Sequence, residues 1–305
     1  MVEISAIVCT YNREKFLPKA LESLANQTLS YDNFEVVIIN NNSTDSTEEI
    51  CNNFHKNFPN INYSYVIESQ QGLSFARNRG IIESKGRLIT FIDDDAWLEE
   101  MFLEVIVNFM KKHQDVDSVG GKILLDYEDK EPDWMNKYMA SLFGYFVYSE
   151  NIKKFKPNNF PRGSNMTFRK NVFELVGNFN TELGRIGQGM GGGEEKDIYK
   201  RIYDHKLAVY NLPSAVVHHA VPVTRTTNEF IKKQAIGIGY SERLRLKGSK
   251  IETLKRIWQE LYKWAATIIL FFIYLLKFQW KKSVMIVRFR WWISKGFFID
   301  YKKYE

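Results

Sequence analysis

Cysteine is nearly missing from this 305-residue chain. The two present, Cys9 in an apolar strand-like run and Cys51 in a predicted helix, are too few for a disulfide framework and stand at no metal-ligand spacing. Both read as reduced core residues of a cytosolic protein. Also missing is a basic stretch ahead of an apolar one at the N-terminus, where Met-Val-Glu-Ile-Ser-Ala-Ile-Val-Cys9 runs directly into a strand pattern. That argues against a signal peptide, so the sequons at Asn41, Asn42 and Asn165 are expected to be unused. No internal repeat is visible, and Gly237-Ile-Gly239 is too short a motif to indicate dinucleotide binding. The chain has no very long apolar run either. The run from Trp264 to Leu276, apolar or aromatic except Thr267, would make roughly 20 Å of helix, against about 30 Å of hydrocarbon in a bilayer.

The formal charge is +6 and is unevenly placed. From Ile251 to Glu305 eleven Lys or Arg face four Asp or Glu, so the tail carries +7 and the preceding residues are close to neutral. Nucleic acid could partner a basic segment, but aromatics are interleaved here with Arg288, Arg290 and Lys295, which points to a lipid surface instead. The alternative is a helix pair packed on the preceding domain.

Strand and helix patterns alternate over the first 125 residues in the manner of a doubly wound fold. Strands are predicted over 4–9, 34–40, 62–67, 87–92 and 118–125. Helices are predicted over 14–26, 46–57, 73–84 and 99–113. Residues 126–160 lose this periodicity and read as a variable loop or insert. A short helix, a glycine-rich loop over 184–193, a helix from Glu194 to Asp204, strand-like segments at 207–211 and 215–219, and a helix over 227–247 follow.

Ligands in open α/β sheets gather beyond the carboxyl ends of the strands. There the chain places Thr10-Tyr-Asn-Arg13, Asn40-Asn-Asn-Ser-Thr-Asp45 and the run Asp93, Asp94, Asp95. Three adjacent carboxylates repel one another unless a cation sits among them, and Mg²⁺ or Mn²⁺ accepts carboxylate, water and phosphate oxygens. The competing reading is a solvated acidic turn that caps the next helix.

These pieces, together with Gly72-Leu-Ser-Phe-Ala-Arg-Asn-Arg-Gly80, Gly163-Ser-Asn-Met-Thr-Phe-Arg169 and Gly192-Gly-Glu-Glu-Lys-Asp197, come in one order along the chain. In that order they resemble family 2 glycosyltransferases over about residues 4–245. The resemblance implies an α/β fold of GT-A type, a Rossmann-like doubly wound and mostly parallel sheet, to which the basic, aromatic tail adds a C-terminal helical membrane-associating segment. It implies a catalytic domain over 1–250, split into a nucleotide-sugar half (1–125) and an acceptor half (126–250), and the basic, aromatic composition of 251–305 marks an amphipathic helical tail. The expected activity is inverting transfer from a UDP- or dTDP-type sugar to a hydroxyl of a glycan or lipid-linked acceptor in cell-surface polysaccharide synthesis. The expected setting is the cytoplasmic face of a membrane, with Mn²⁺ or Mg²⁺ and no nucleic acid.

For the donor, the resemblance points to Thr10, Tyr11, Arg13, Asn41, Asp45, Arg77, Asp93 and Asp94. It places Asp95 on the metal, joined by His218 or His219. On the acceptor side it points to Gly163, Asn165 and Asp197. Glu195 stands where the family has its catalytic base, one methylene longer than the usual Asp, with Glu194 as substitute; a carboxylate suits removal of a hydroxyl proton. An acidic residue usual in the family is replaced by Asn40 or Asn41. Asp45 either accepts a hydrogen bond from the base of the nucleotide or only caps the helix after it. Two other readings are a nucleotidyltransferase, disfavoured because no basic glycine-rich loop follows Val8, and a non-catalytic glycan-binding scaffold, which would not need paired glutamates.

Overall fold

The computed structural model describes residues 2–157, 159–187, 192–245 and 250–298. The chain runs β1 (Ile4–Thr10), α1 (Leu17–Ala25), β2 (Phe34–Asn40), α2 (Thr47–Asn57), β3 (Asn62–Ile67), α3 (Leu73–Glu83), β4 (Leu88–Asp93), β5 (Ala96–Leu98), α4 (Phe102–Lys112) and β6 (Ser118–Tyr127). It continues through β7 (Lys153–Lys154), β8 (Met166–Arg169), α5 (Val172–Val176), α6 (Glu194–Asp204) and β9 (Val209–Val221) to α7 (Asn228–Arg245), α8 (Lys250–Leu276) and α9 (Trp280–Phe298).

β1 and β2 are almost wholly buried and consist mainly of apolar residues, as strands covered on both faces must be. They pair in parallel with each other, and β3 and β4 join them in parallel on either side. The order across the sheet is β3-β2-β1-β4-β8-β6-β9-β5, with β7 on β9. The doubly wound arrangement therefore holds for the first four strands. Beyond β4 the sheet is mixed: β8 pairs antiparallel with β4 and β6, and β9 antiparallel with β5 and β7. One apolar cluster, including Val8, Leu21, Ile38 and Phe102, fills one face; another, including Ile7, Phe91, Phe168 and Tyr199, fills the other.

Several boundaries differ from the sequence reading for local reasons. α1 begins at Leu17 rather than Glu14, with Pro18 in its first turn. α4 begins at Phe102 rather than Glu99, because Ala96–Leu98 first pairs with β9. Gln27 then fixes the start of α4, accepting from Leu103 N–H at 2.9 Å and donating to Glu99 O at 3.0 Å. The two segments at 207–211 and 215–219 fuse into β9, which passes through Pro213.

Two compact units result: Met1–Asp126 with Gly144–Ala220, and Tyr127–Phe143 with Val221–Glu305. In the second, α7 and α9 touch backbone to backbone. A Cβ on Gly239 would lie 2.0 Å from Ile293 O, and one on Gly296 would lie 2.0 Å from Ile236 O, so Gly239 serves helix packing.

α8 is longer than its apolar run suggested. Its segment Leu254–Leu276 has mean hydropathy 1.3 and is long and apolar enough to cross a membrane by length and composition. Leu254, Trp258, Leu261, Ile268, Phe272 and Leu276, spaced by three, four or seven residues, are all exposed. Turned inward instead is Glu260, 4% exposed, with Arg256 Nη2 at 2.9 Å and Lys263 Nζ and Arg290 Nη1 both at 3.5 Å. The usual polarity of a surface helix is inverted here.

Candidate active site

Two loops form one wall of a crevice beyond β1 and β2. Asn12, at φ 52°, accepts from Thr44 N–H at 2.8 Å and donates its own N–H to Ser43 Oγ at 3.0 Å. Glu14 N–H donates to Asp45 Oδ2 and Ser46 N–H to Glu14 Oε2, each at 3.0 Å. These ties leave a cleft of about 400 Å³ lined by Asn12, Arg13, Glu14, Lys15, Phe16, Thr44 and Asp45. Asp45 Oδ1 also accepts from Thr47 N–H at 3.1 Å and from the Thr47 hydroxyl. Burial works to raise its pKa, but these hydrogen bonds prevail and hold it below the ordinary carboxylate range. Asp45 thus starts α2 and also faces the cleft.

The aspartate run straddles a strand end. Asp93 is the last residue of β4, and Asp94 and Asp95 form the turn into β5. The β5–β9 register sets Ala96 opposite His219 and Trp97 opposite His218, so the two histidines point to opposite faces. His219 Nε2 lies 3.2 Å from Asp95 Oδ1, and ligand atoms of Asp93, Asp95 and His219 all fall within 4.8 Å of one another. Gly144, at φ 96°, brings its backbone against the His219 ring, where a Cβ would approach to 3.3 Å. His218 instead stacks on Trp97 and reaches Glu99 at 3.3 Å, outside this group.

Asp94 turns the other way, accepting from Tyr11 N–H at 3.4 Å and approaching Arg13 Nε at 3.5 Å; Arg13 Nη2 lies 3.7 Å from Asp95. Burial, then the neighbouring Asp95 charge, lifts the Asp94 pKa to about 7 against the pull of Arg13. Burial likewise raises Asp93. Crowded carboxylates beside an imidazole form a donor set that suits a divalent cation, with the nitrogen favouring Mn²⁺ over Mg²⁺. The residues present fit such an ion.

Arg77, on the inner face of α3 and 2% exposed, is the hub of the site. Its Nη1 donates to Glu194 Oε1 at 2.9 Å, while Nη2 lies 3.8 Å from both Asp93 Oδ1 and Glu195 Oε1. Its guanidinium carbon sits 5.9 and 5.4 Å from the Phe91 and Phe179 ring centres. The sequence reading placed Arg77 on the donor; the structure surrounds it with carboxylates. Glu194, 5% exposed, is locked by it, whereas the Glu195 side chain keeps 25% exposure. Burial raises the Glu195 pKa to about 7, opposed by Arg77 and helped by Glu194 and Asp93. That is a suitable proton affinity for a base at neutral pH. Gly163 makes room for the pair, since a Cβ there would stand 2.3 Å from Glu195 Oε1 and 2.7 Å from Arg77 Nη2.

Three of the expected residues are also tied into the surrounding fold. Asn41, buried, donates to Glu68 O and Gln70 O and accepts from Gly72 N–H, pinning the loop before α3. Asn165 donates to Lys122 O and Ala215 O, both at 2.9 Å, tying β6 to β9. Asp197, in the first turn of α6, pairs with Arg201 one turn on, at 2.7 Å. Thr10 is buried at the end of β1. The sequence reading missed Gly144 and Arg162. Arg162 lies close to both the Phe146 and Phe160 rings, and the only hint was the cluster of aromatics in and beside a segment without periodicity.

The family model for glycosyl transferase family 2 matches residues 5–177, more than half of the chain. Among relatives, the glucosyl-dolichyl phosphate glucuronosyltransferase of Haloferax volcanii is 28% identical over 251 residues, 80% of this chain and 77% of that protein. The GalNAc(5)-diNAcBac-PP-undecaprenol beta-1,3-glucosyltransferase of Campylobacter jejuni is 30% identical over 129 residues, 42% of this chain and 40% of that protein. The chain spans less than two thirds of several further relatives. Among solved structures, S. aureus TarS 1-349 in complex with UDP aligns with TM-score 0.54 and 21% identity over 78% of this chain and 65% of that one. The mannosyltransferase PcManGT from Pyrobaculum calidifontis, in complex with GDP-Man and Mn²⁺, aligns with TM-score 0.56 and 18% identity over 81% of this chain and 65% of that one. At such identities the structural likeness speaks for the GT-A fold alone. Taken with the family match, it means that this chain belongs to glycosyl transferase family 2 and is a glycosyltransferase.

Proposed function

We propose that the enzyme is an inverting transferase that takes a sugar from a UDP- or dTDP-type donor to a hydroxyl of a glycan or lipid-linked acceptor in cell-surface polysaccharide synthesis. The observation that carries this reading is the shared nitrogen of Arg77, equidistant at 3.8 Å from Asp93 and Glu195. It sets a carboxylate of neutral proton affinity beside the group suited to a cation. Glu195 takes the acceptor proton as the acceptor oxygen attacks the anomeric carbon. The bond from that carbon to the diphosphate oxygen breaks on the opposite face, and the nucleoside diphosphate leaves with the electron pair. Arg77 orients Glu195 and keeps it from being protonated at still higher pH, while Glu194 holds Arg77. Asp93, Asp95 and His219 would hold Mn²⁺ or Mg²⁺, which supplies positive charge to the leaving diphosphate when bound. The cleft at Arg13 and Asp45 receives the nucleoside, with Thr10 and Tyr11 preceding it in the chain at the end of β1.

Residues 1–250 form the catalytic domain in this proposal, and 251–305 form the tail. The outward apolar stripe of α8 and the basic balance of the tail support attachment to an anionic leaflet, on the cytoplasmic side where nucleotide sugars are made. Each Lys or Arg near such a surface contributes about 1 kcal/mol. A thermal-shift screen of nucleotide sugars with Mn²⁺ tests the donor reading. Stabilisation by a uridine or deoxythymidine diphosphate sugar is expected, and stabilisation by guanosine compounds alone would overturn the base assignment. Glu195→Gln should retain that stabilisation and lose transfer.

A further inference from the structure

Arg162 is exposed, yet its position is closely set. Its guanidinium carbon lies 5.0 Å from the Phe146 ring centre and 4.7 Å from that of Phe160. Both rings are themselves anchored: Phe160 stacks on buried Tyr199 at 5.4 Å, and Phe146 stacks on buried Phe155 at 6.2 Å. Phe146 also exchanges two backbone hydrogen bonds with Ile123, at 2.8 and 2.9 Å. The backbone is fixed as well, because Arg162 O accepts from Asn165 N–H at 2.8 Å, and Pro161 packs against Gly120 where a Cβ would come within 2.3 Å. Among the described residues no carboxylate pairs with this arginine. Its charge nevertheless reaches Glu195, and its neighbour Gly163 abuts the Glu195 carboxylate.

An arginine whose guanidinium rests close to two anchored rings has less freedom to lose on binding, and a guanidinium fork matches phosphate oxygens bidentately. A purely structural stack would not require a site beside the base. We propose that Arg162 is a specificity-determining residue that grips a phosphate group on the acceptor, so that the substrates of this enzyme are phosphate-bearing rather than neutral glycans. This rests on the transferase reading above, with Glu195 marking the acceptor side. Two sources share the chemistry, a lipid phosphate and a polyol phosphate.

The test uses the full chain in detergent micelles, saturated with UDP and Mn²⁺ so that the donor pocket is filled. Geranyl phosphate and ribitol 5-phosphate are titrated against their neutral counterparts, geraniol and ribitol. Wild type should bind at least one phosphate probe tenfold or more tightly than its neutral counterpart. Arg162→Gln should abolish that preference while keeping the stabilisation by UDP and Mn²⁺, and Arg162→Lys should restore part of it. Preference for the geranyl compound identifies a lipid phosphate, and preference for the ribitol compound a polyol phosphate. Equal binding of charged and neutral probes by wild type, an unchanged preference in Arg162→Gln, or loss of the UDP response in that variant would each overturn the proposal. The reading it rests on fails separately, if no nucleotide diphosphate or nucleotide sugar stabilises wild type at all.

Discussion

Replacing Arg77 by Met removes the positive centre of three carboxylates without emptying the space it fills. At an effective dielectric of about 20, a unit charge pair 3.8 Å apart is worth about 4 kcal/mol. Arg77 makes two such pairs and a closer one to Glu194 at 2.9 Å. The gross loss is larger than the measurable one, because stranded carboxylates escape by taking up protons. Breaking a buried ion pair on one side costs about 3–5 kcal/mol, and for a unit of this size each kcal/mol moves the melting temperature by about 2–4 °C. At pH 8.5 the variant should therefore melt roughly 10 °C below wild type.

The sign of the pH dependence follows from the carboxylates. Glu195 is lifted from 4.5 to about 7 in the folded protein. Its contribution to stability is full below the unfolded value and is lost as pH rises through the folded one. Without Arg77 that folded value moves higher still, so the loss extends further into the alkaline range. At pH 5.5 the deficit should shrink by half or more, and adding Glu194→Gln to the variant should recover part of it at pH 8.5. Melts of wild type, Arg77→Met and the double variant, without divalent ions, provide the measurement. A deficit under 2 °C at pH 8.5, or one equally large at both pH values, would refute the view of Arg77 as the counter-charge of the site.

Gly163→Ala sets a methyl group against Glu195 and Arg77 together, and turnover should fall at least tenfold with nucleotide affinity little changed, read by steady-state kinetics beside UDP titration. In Glu195→Gln the transfer rate should fall by about 10²–10⁴-fold; wild-type activity should rise through about pH 7, and the residual rate of the variant should show no such rise. Asp95→Ala should abolish the thermal stabilisation given by Mn²⁺, whereas His218→Ala should retain it, since only His219 lies with the aspartates. Phe272→Glu and Ile269→Glu together place charges on the exposed face of α8 and should prevent cosedimentation with anionic vesicles; unchanged sedimentation would remove that face from the membrane reading.

Much of the parallel half of the sheet is legible in the sequence because β1, β2 and β4 are nearly unbroken apolar runs closed by polar residues, as at Ile92 and Asp93, while the half-buried β3 alternates polar and apolar residues. In the antiparallel half the segments of β6 and β9 are legible as strands but their order and pairing, and β8 itself, are not, because these strands are far apart in sequence and their pairing depends on distant partners. The same limit applies inside the site. Two adjacent histidines cannot both face the aspartates, yet which of them does is fixed only by the pairing of Ala96 with His219. That Arg77 meets Glu194 and Glu195 could not be read from the sequence, because those residues lie more than a hundred positions away. Asp45 remains double in use, since its carboxylate starts a helix and borders the cleft at once.

The inverted face of α8 bears on how the protein is made. Freshly synthesised copies would offer one another the same oily strip, and in water they would find each other before they found a bilayer. On the membrane reading proposed above, yield in a cell should then follow the leaflet area on offer more than the rate of translation, and overexpression should fill inclusion bodies unless lipid supply grows with it.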